Sequence, residues 1–185
     1  RVRNDPVLSK ELQVDAAWSV TTLARDTSAP PLDDARVRRA LSLGIDRLAL
    51  ANAIYKGAVT PAYTVIPAGI DGRNPAAALK GGIPEAQRLL AEVGFPGGEG
   101  FPEIQFITGS DAASKLFAEF LQNQWQTNLG IPLKLNFMES AAFGEWCRAT
   151  KTDKTPYNGA VLRGWTADYL DATDWYNALL DSSAD

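Results

Sequence analysis

The chain has 185 residues, of which 45% are hydrophobic and 22% charged, and a net charge of −4. A chain of this length hides about 70% of its unfolded surface, enough for one substantial core. It has no histidine and a single cysteine, Cys147. That excludes histidine acid–base chemistry, Ser-His-Asp and Cys-His constellations, an internal disulfide and a thiolate metal site. The acidic balance lacks the positive field that nucleic acid or an anionic bilayer selects, and no apolar run approaches the ~20 residues that span a membrane. No leader is visible and the first residue is Arg1, so a mature or excised segment is expected.

Along the chain, Val14, Ala16, Trp18 and Val20 share one parity and predict a strand. Pro30-Pro31 breaks it before Asp33 and Asp34, either of which can cap a helix with Val37, Leu41 and Ile45 on one stripe. Asp46 restarts a helix whose stripe is Leu48, Ala51 and Ile54. The glycines and prolines of residues 56–82 predict a long irregular crossing. Pro84 suits a first helical turn, with Leu89, Leu90 and Val93 facing inward and Gly94 as the stop. A turn cluster at 95–100 leads to a short strand, Glu103–Thr108.

Asp111 can cap a long helix to Leu129, with Leu116, Phe120 and Leu121 as core contacts and Gly130 as its end. Ile131, Leu133, Leu135 and Phe137 alternate with polar residues and predict a half-buried strand. A helix around Ala141–Cys147, a polar loop Lys151–Pro156, a strand Gly159–Leu162 and a last helix capped by Asp171 or Thr173 through Leu180 complete the pattern. Helices and strands in alternation imply an α/β or mixed α+β layer structure.

The densest polar chemistry lies in Trp165–Asp174, where Asp168, Asp171 and Asp174 are interleaved with Trp165, Tyr169 and Trp175. Four readings compete. A carboxylate pair flanked by aromatics suits a glycoside hydrolase. A calcium loop needs a different spacing. A single buried carboxylate suits a cationic ligand head, with Asp171 or Asp174 capping the next helix. The plain alternative makes all three aspartates turn and cap residues. Elsewhere, Gly97-Gly-Glu-Gly100 lacks the frame of a phosphate loop, Arg36, Arg38 and Arg39 read as a solvated helix face, and Trp125, Trp146 and Cys147 read as packing residues.

Five segments together resemble the extracellular solute-binding proteins, family 5, of peptide ABC importers, the oligopeptide and dipeptide class. They are Pro31–Leu41 with Ile45-Asp-Arg47, Pro61–Pro67, Glu85–Phe95, Trp125–Ile131, and Gly164-Trp-Thr-Ala-Asp-Tyr169. The resemblance implies a class II periplasmic-binding-protein-like lobe, a mixed β-sheet flanked by helices. It implies further that residues 1–185 form a single domain, the second large lobe of a two-lobed protein, and so a fragment of a longer chain. The implied activity is binding of a peptide between two lobes and its delivery to a membrane permease, without catalysis and without a cofactor or metal. The implied setting is a monomer exported to the periplasm or cell envelope.

By the same resemblance Asp168 pairs with the peptide α-amino group as a desolvated strand-end carboxylate. Gly164 and Thr166 bind the peptide main chain as an added strand, and Trp165 walls a side-chain pocket. Ala167 and Tyr169 complete the motif, with Arg163 and Trp18 as lesser candidates. Among the sequence's departures from the family, two concern carboxylate binding. Leu162 stands where a carboxylate-binding arginine is expected, Arg163 falling one place later on the opposite face, and Ala113 stands near the position of a carboxylate-binding histidine. A sugar or metal chelate as the bound solute, and a hydrolase pairing Asp168 with Asp171 or Asp174, are the rival readings.

Overall fold

The computed structural model describes residues 5–12, 17–153 and 156–179. The chain divides into two compact units. The larger comprises Thr21–Val65 and Asn74–Gly164, and the smaller is built from Arg1–Val20, Ile66–Arg73 and Trp165–Asp185. In chain order the elements are β1 (Ser19–Arg25), α1 (Ala35–Leu43), α2 (Arg47–Ala53), α3 (Ile83–Glu92), β2 (Ile104–Gly109), α4 (Ala112–Leu129), β3 (Leu133–Met138), α5 (Ser140–Asp153), β4 (Gly159–Thr166) and α6 (Ala172–Leu179).

Short polar residues start the helices where their side chains satisfy free backbone N–H groups. Asp34 accepts from Arg36 N at 2.7 Å, Asp46 from Ala49 N at 2.9 Å, and Asp111 from Ala113 N and Ser114 N at 3.1 and 3.0 Å. Gly130 ends α4 in the left-handed conformation, φ 71°, and a Cβ there would collide with the Gly97 carbonyl oxygen.

The sheet order is β1-β4-β2-β3. β2 pairs in parallel with β3, from Ile104↔Leu133 to Gly109↔Met138, and with β4, from Gln105↔Gly159 to Ile107↔Val161. β1 runs against β4, since Asp26 N donates to Gly159 O at 3.0 Å and Ala167 N to Trp18 O at 2.8 Å. The sheet is therefore mixed. Chain order takes β2 through α4 to β3 on one side, then β3 through α5 back past β2 to β4 on the other. Right-handed crossovers place those two helices on opposite faces. Ile104 and Phe106 join α1, α3 and α4 in the main core, while Ile107 is buried outside that cluster and α5 packs on β2.

That core belongs to the larger unit and includes Leu32, Val37, Leu41, Leu90, Leu121, Trp125, Leu129 and Ile131, each 1% exposed or less. Its one indole N–H is satisfied internally, Trp125 Nε1 donating to Leu41 O at 2.9 Å.

Several sequence expectations change. Leu48 and Leu116 are exposed instead of buried, because Ala51 on α2 and Phe117 and Ala118 on α4 take the inward face. Phe137 emerges at the end of β3, 38% exposed, so the alternation buries only the strand's start. α5 continues through Asp153, occupying the first part of the expected polar loop, and β4 runs on to Thr166, four residues past its expected end. Val14, Ala16 and Leu180 lie outside the described residues.

Candidate ligand-binding site

Residues Trp165–Asp174 begin as the end of a strand, turn through 167–170, and enter α6. Asp171 caps that helix. Its Oδ1 accepts from Thr173 N at 2.9 Å and Thr173 Oγ1 at 2.6 Å, and these bonds, the hydroxyl first, hold its carboxyl below the usual range. Asp174 lies in the first turn of α6 and is 3% exposed. Its Oδ1 accepts from Trp165 Nε1 at 3.0 Å and its Oδ2 from Asp168 N at 2.8 Å and Tyr169 N at 3.4 Å. The buried carboxylate of this segment is thus Asp174, and it is spent on folding the turn.

Asp168, expected to be desolvated, is exposed. Its backbone is fixed by Asp174, and its carboxylate makes no hydrogen bond or ion pair among the described residues. The difference has a simple cause. A turn two residues beyond a strand end projects into solvent, and the pocket for a buried carboxylate goes to the residue that can collect several N–H donors at once. A hydrolytic pair loses its second member for the same reason, since the oxygens of Asp174 and Oδ1 of Asp171 are already occupied.

The other motif residues divide cleanly. Trp165 is half-buried with its indole N–H committed to Asp174. Thr166 is exposed, with Oγ1 donating to Ser19 Oγ at 3.2 Å, and Ala167 N closes the ladder to Trp18 O. Tyr169 is 49% exposed and its hydroxyl lies 3.3 Å from Thr173 Oγ1. Trp18, 44% exposed, presents an indole surface in the same unit, beside Gly69. Gly72, at φ 80°, leaves room for Ala172, whose Cβ would lie 2.8 Å from an added Cβ. Asp71 O accepts from Ala172 N at 3.0 Å, which ties the 66–73 segment to the start of α6.

The ladder of β4 fixes which of its main-chain groups face β1 and which face away. In an antiparallel pair, alternate residues exchange both bonds with the neighbour and the intervening ones turn their N–H and C=O the other way. The bonds at Gly159 and Ala167 assign the odd-numbered residues to β1. In the smaller unit the main-chain groups of Thr166 therefore face away from β1, and in the larger unit so do those of Leu162 and Gly164. The last pair with β2, Ile107↔Val161, takes the Leu162 N–H, so the open edge begins at the Leu162 carbonyl. Arg163 has the opposite parity, and its carbonyl accepts from Thr22 Oγ1 at 3.2 Å.

The chain matches the model of the bacterial extracellular solute-binding proteins, family 5 Middle, over residues 2–185, and it belongs to that family, which is one of binding proteins and not of enzymes. It is 29% identical over 186 residues to heme-binding protein A of Haemophilus influenzae, covering 99% of this chain and 32% of that one. It is 29% identical over 180 residues to the periplasmic oligopeptide-binding protein OppA of Escherichia coli, covering 94% and 32%. The structure of Burkholderia pseudomallei OppA superposes with a TM-score of 0.78 at 26% identity, covering 95% of this chain and 35% of that one. The fold is accordingly that of a periplasmic-binding-protein lobe, and the chain spans about a third of the length of the relatives it matches.

Proposed function

We propose that this chain is the second large lobe of an exported peptide-binding protein, which holds a peptide between two lobes and delivers it to the permease of an ABC importer. The observation that carries the reading is the outward edge of β4 in the larger unit, where the Leu162 carbonyl and both main-chain groups of Gly164 are turned to an extended peptide. Main-chain recognition is indifferent to sequence, which suits a protein that accepts many peptides. Asp168 adds the anchor for the peptide α-amino group, and Trp165, Ala167, Tyr169 and Trp18 belong to the same smaller unit. An exposed ion pair is worth about 1 kcal/mol or less. Asp168 therefore binds strongly only when the bound peptide and the second lobe exclude water from it, and this lobe alone binds weakly. The protein acts in the periplasm or at the cell envelope. A non-peptide solute is the second reading, favoured by the relative named for heme binding.

The test is calorimetric titration of the full-length protein with trialanine, beside its Asp168→Ala variant. Saturable heat, with affinity at least about tenfold weaker in the variant, is expected from loss of a charge-assisted bond. Absence of heat with trialanine and with a mixed pool of short peptides overturns the reading.

A further inference from the structure

Three arginines of the larger unit gather around one serine. Arg25, the last residue of β1, shares the parity of Leu23, which packs on the main core, so its side chain lies on that face of the sheet. Its Nη2 donates to Ser42 Oγ at 2.7 Å. Arg47 Nη1 donates to the Ser42 carbonyl at 2.9 Å, and Arg38 stands one helical turn before Ser42 on α1. We propose that these guanidinium groups, with the hydroxyls of Ser42 and Tyr157, bind a small inorganic oxyanion, phosphate or sulfate. The proposal does not rest on the peptide-binding reading. Asp26 N donates to Gly159 O, so β1 brings Arg25 to the start of β4, roughly 17 Å along that strand from Gly164.

The first support is the pattern of pairing. The exposed arginines find carboxylates, Arg36 with Asp34 and Arg88 with Glu85 and Glu92. Arg25, Arg38 and Arg47 are partly buried and pair with none among the described residues. The reverse is the rule, since a charge withdrawn from water is costly unless a counter-charge accompanies it. Burial, followed by the charges of Arg38 and Arg47, holds the Arg25 guanidinium below its usual range. The adjacent Asp26 does not compensate. Its oxygens accept from Ser28 N, Ser28 Oγ, Tyr157 N and Asn158 N at 2.6 to 3.0 Å.

The second is an excess of donors. Arg25 Nε is buried without a partner, and Nη1 makes no hydrogen bond among the described residues. Ser42 Oγ accepts from Arg25, and its own proton meets no acceptor there. The Tyr157 hydroxyl, within electrostatic reach of Arg25, likewise has no acceptor among the described residues. Burial, then the charge of Asp26, holds that hydroxyl up to about 12, so it is a protonated donor at neutral pH. Buried donors are nearly always satisfied. A water molecule brings two protons of its own to such a corner, whereas an oxyanion brings acceptors only.

The third is preorganisation. Arg38 Nη1 is held by the Leu32 and Asp33 carbonyls at 2.9 and 2.8 Å. Arg47 is held by the Ser42 and Ile45 carbonyls and lies over the Tyr63 ring. Both charges are thus fixed in place. Arg25, Arg38, Ser42, Arg47 and Tyr157 all remain partly exposed, so a dissolved ion reaches them, and the planar fork of arginine matches the oxygens of phosphate.

The experiment titrates inorganic phosphate into the full-length protein by calorimetry at pH 7, with sodium chloride holding the ionic strength constant. A saturable heat is expected, with affinity weakened about tenfold or more in Arg25→Met and about fivefold in Ser42→Ala, which loses one hydrogen bond. Sulfate should behave as phosphate does, and acetate, with two oxygens, should bind more weakly. Circular dichroism confirms folding of each variant. The urea midpoint gives a second reading, in which Arg25→Met is the control for the general exclusion of such anions from protein surfaces. Phosphate at ten times its dissociation constant should raise the parent's midpoint by about 0.5 M more than the variant's. Absence of saturable heat with both phosphate and sulfate overturns the proposal, as does equal affinity in the parent and both variants. An equal rise of the parent's midpoint with chloride at matched ionic strength overturns it too, because salt then only screens three like charges.

Discussion

The two units are organised by different kinds of buried group. In the larger one, Leu41, Leu90, Phe106, Trp125 and Ile131 are fully buried, and the polar contact inside their cluster, Trp125 to the Leu41 carbonyl, is neutral. In the smaller one, Trp175 and Ala172 supply apolar burial, but the turn that carries Asp168 is gathered by a carboxylate with three N–H donors. An apolar core tolerates exchange of similar volumes, whereas a polar hub depends on the count and direction of its bonds. A surface for recognising ligands needs the second property, because a misplaced turn would move Asp168 while the unit remained folded.

Substitutions can separate these two modes. The largest effect is expected for Trp125→Ala, which leaves a cavity and an unsatisfied carbonyl at Leu41. It should lower stability by about 4 kcal/mol, read from the urea unfolding midpoint. Asp174→Asn keeps the shape but points an NH2 group at donors in place of one acceptor. A loss of about 2 kcal/mol is expected, with a change in the near-ultraviolet dichroism of Trp165. If the dichroism and stability are both unchanged, the polar hub is unimportant and the contrast between the units disappears.

The smallest effect should have the opposite sign. Arg25, in the larger unit, donates from Nη2 to Ser42 Oγ at 2.7 Å, but its buried Nε has no partner, and no carboxylate pairs with it among the described residues. Burial, then the charges of Arg38 and Arg47, hold its guanidinium down to about 10, below the usual arginine range. A folded-state value below the unfolded one means that the charge opposes folding below about pH 10, with the penalty fading as pH rises through that value. Arg25→Met should therefore stabilise the protein by about 1 kcal/mol, visible as a higher urea midpoint at pH 7. A lower midpoint would show that the larger unit, too, relies on a polar anchor.

Much of this was legible in the residues. Asp34, Asp46 and Asp111 sit before apolar stripes and each caps its helix, and Gly130 closes α4 as its position implies. The limits were set by tertiary contacts. Nothing in the spacing of α4 says that Phe117 and not Leu116 turns inward, since both lie near one stripe and the choice is made by Phe106, whose ring centroid is 5.8 Å from that of Phe117. In the candidate site, the motif 164–169 was readable, whereas the division of labour among its aspartates was not. Asp168, Asp171 and Asp174 look alike at a spacing of three, and only the path of the turn decides which collects N–H donors, which caps a helix and which meets solvent. Likewise, Ala113 and Leu162 are 49 positions apart in sequence and share a cavity only because β2 and β4 are neighbours.

The alternation along β4 has a consequence for how such a chain can vary. Which residues turn outward is a matter of odd and even, so inserting or deleting one residue between Asn158 and Leu162, with the pairing at Ala167 kept, puts the misfit somewhere along the strand. If β1 keeps its hold on the far end, the break falls beside β2. If β2 keeps its hold, the break falls between Val161 and Ala167. Length changes in this strand are therefore tolerable in steps of two, or as a bulge, while the loop before Asn158 is free of that arithmetic.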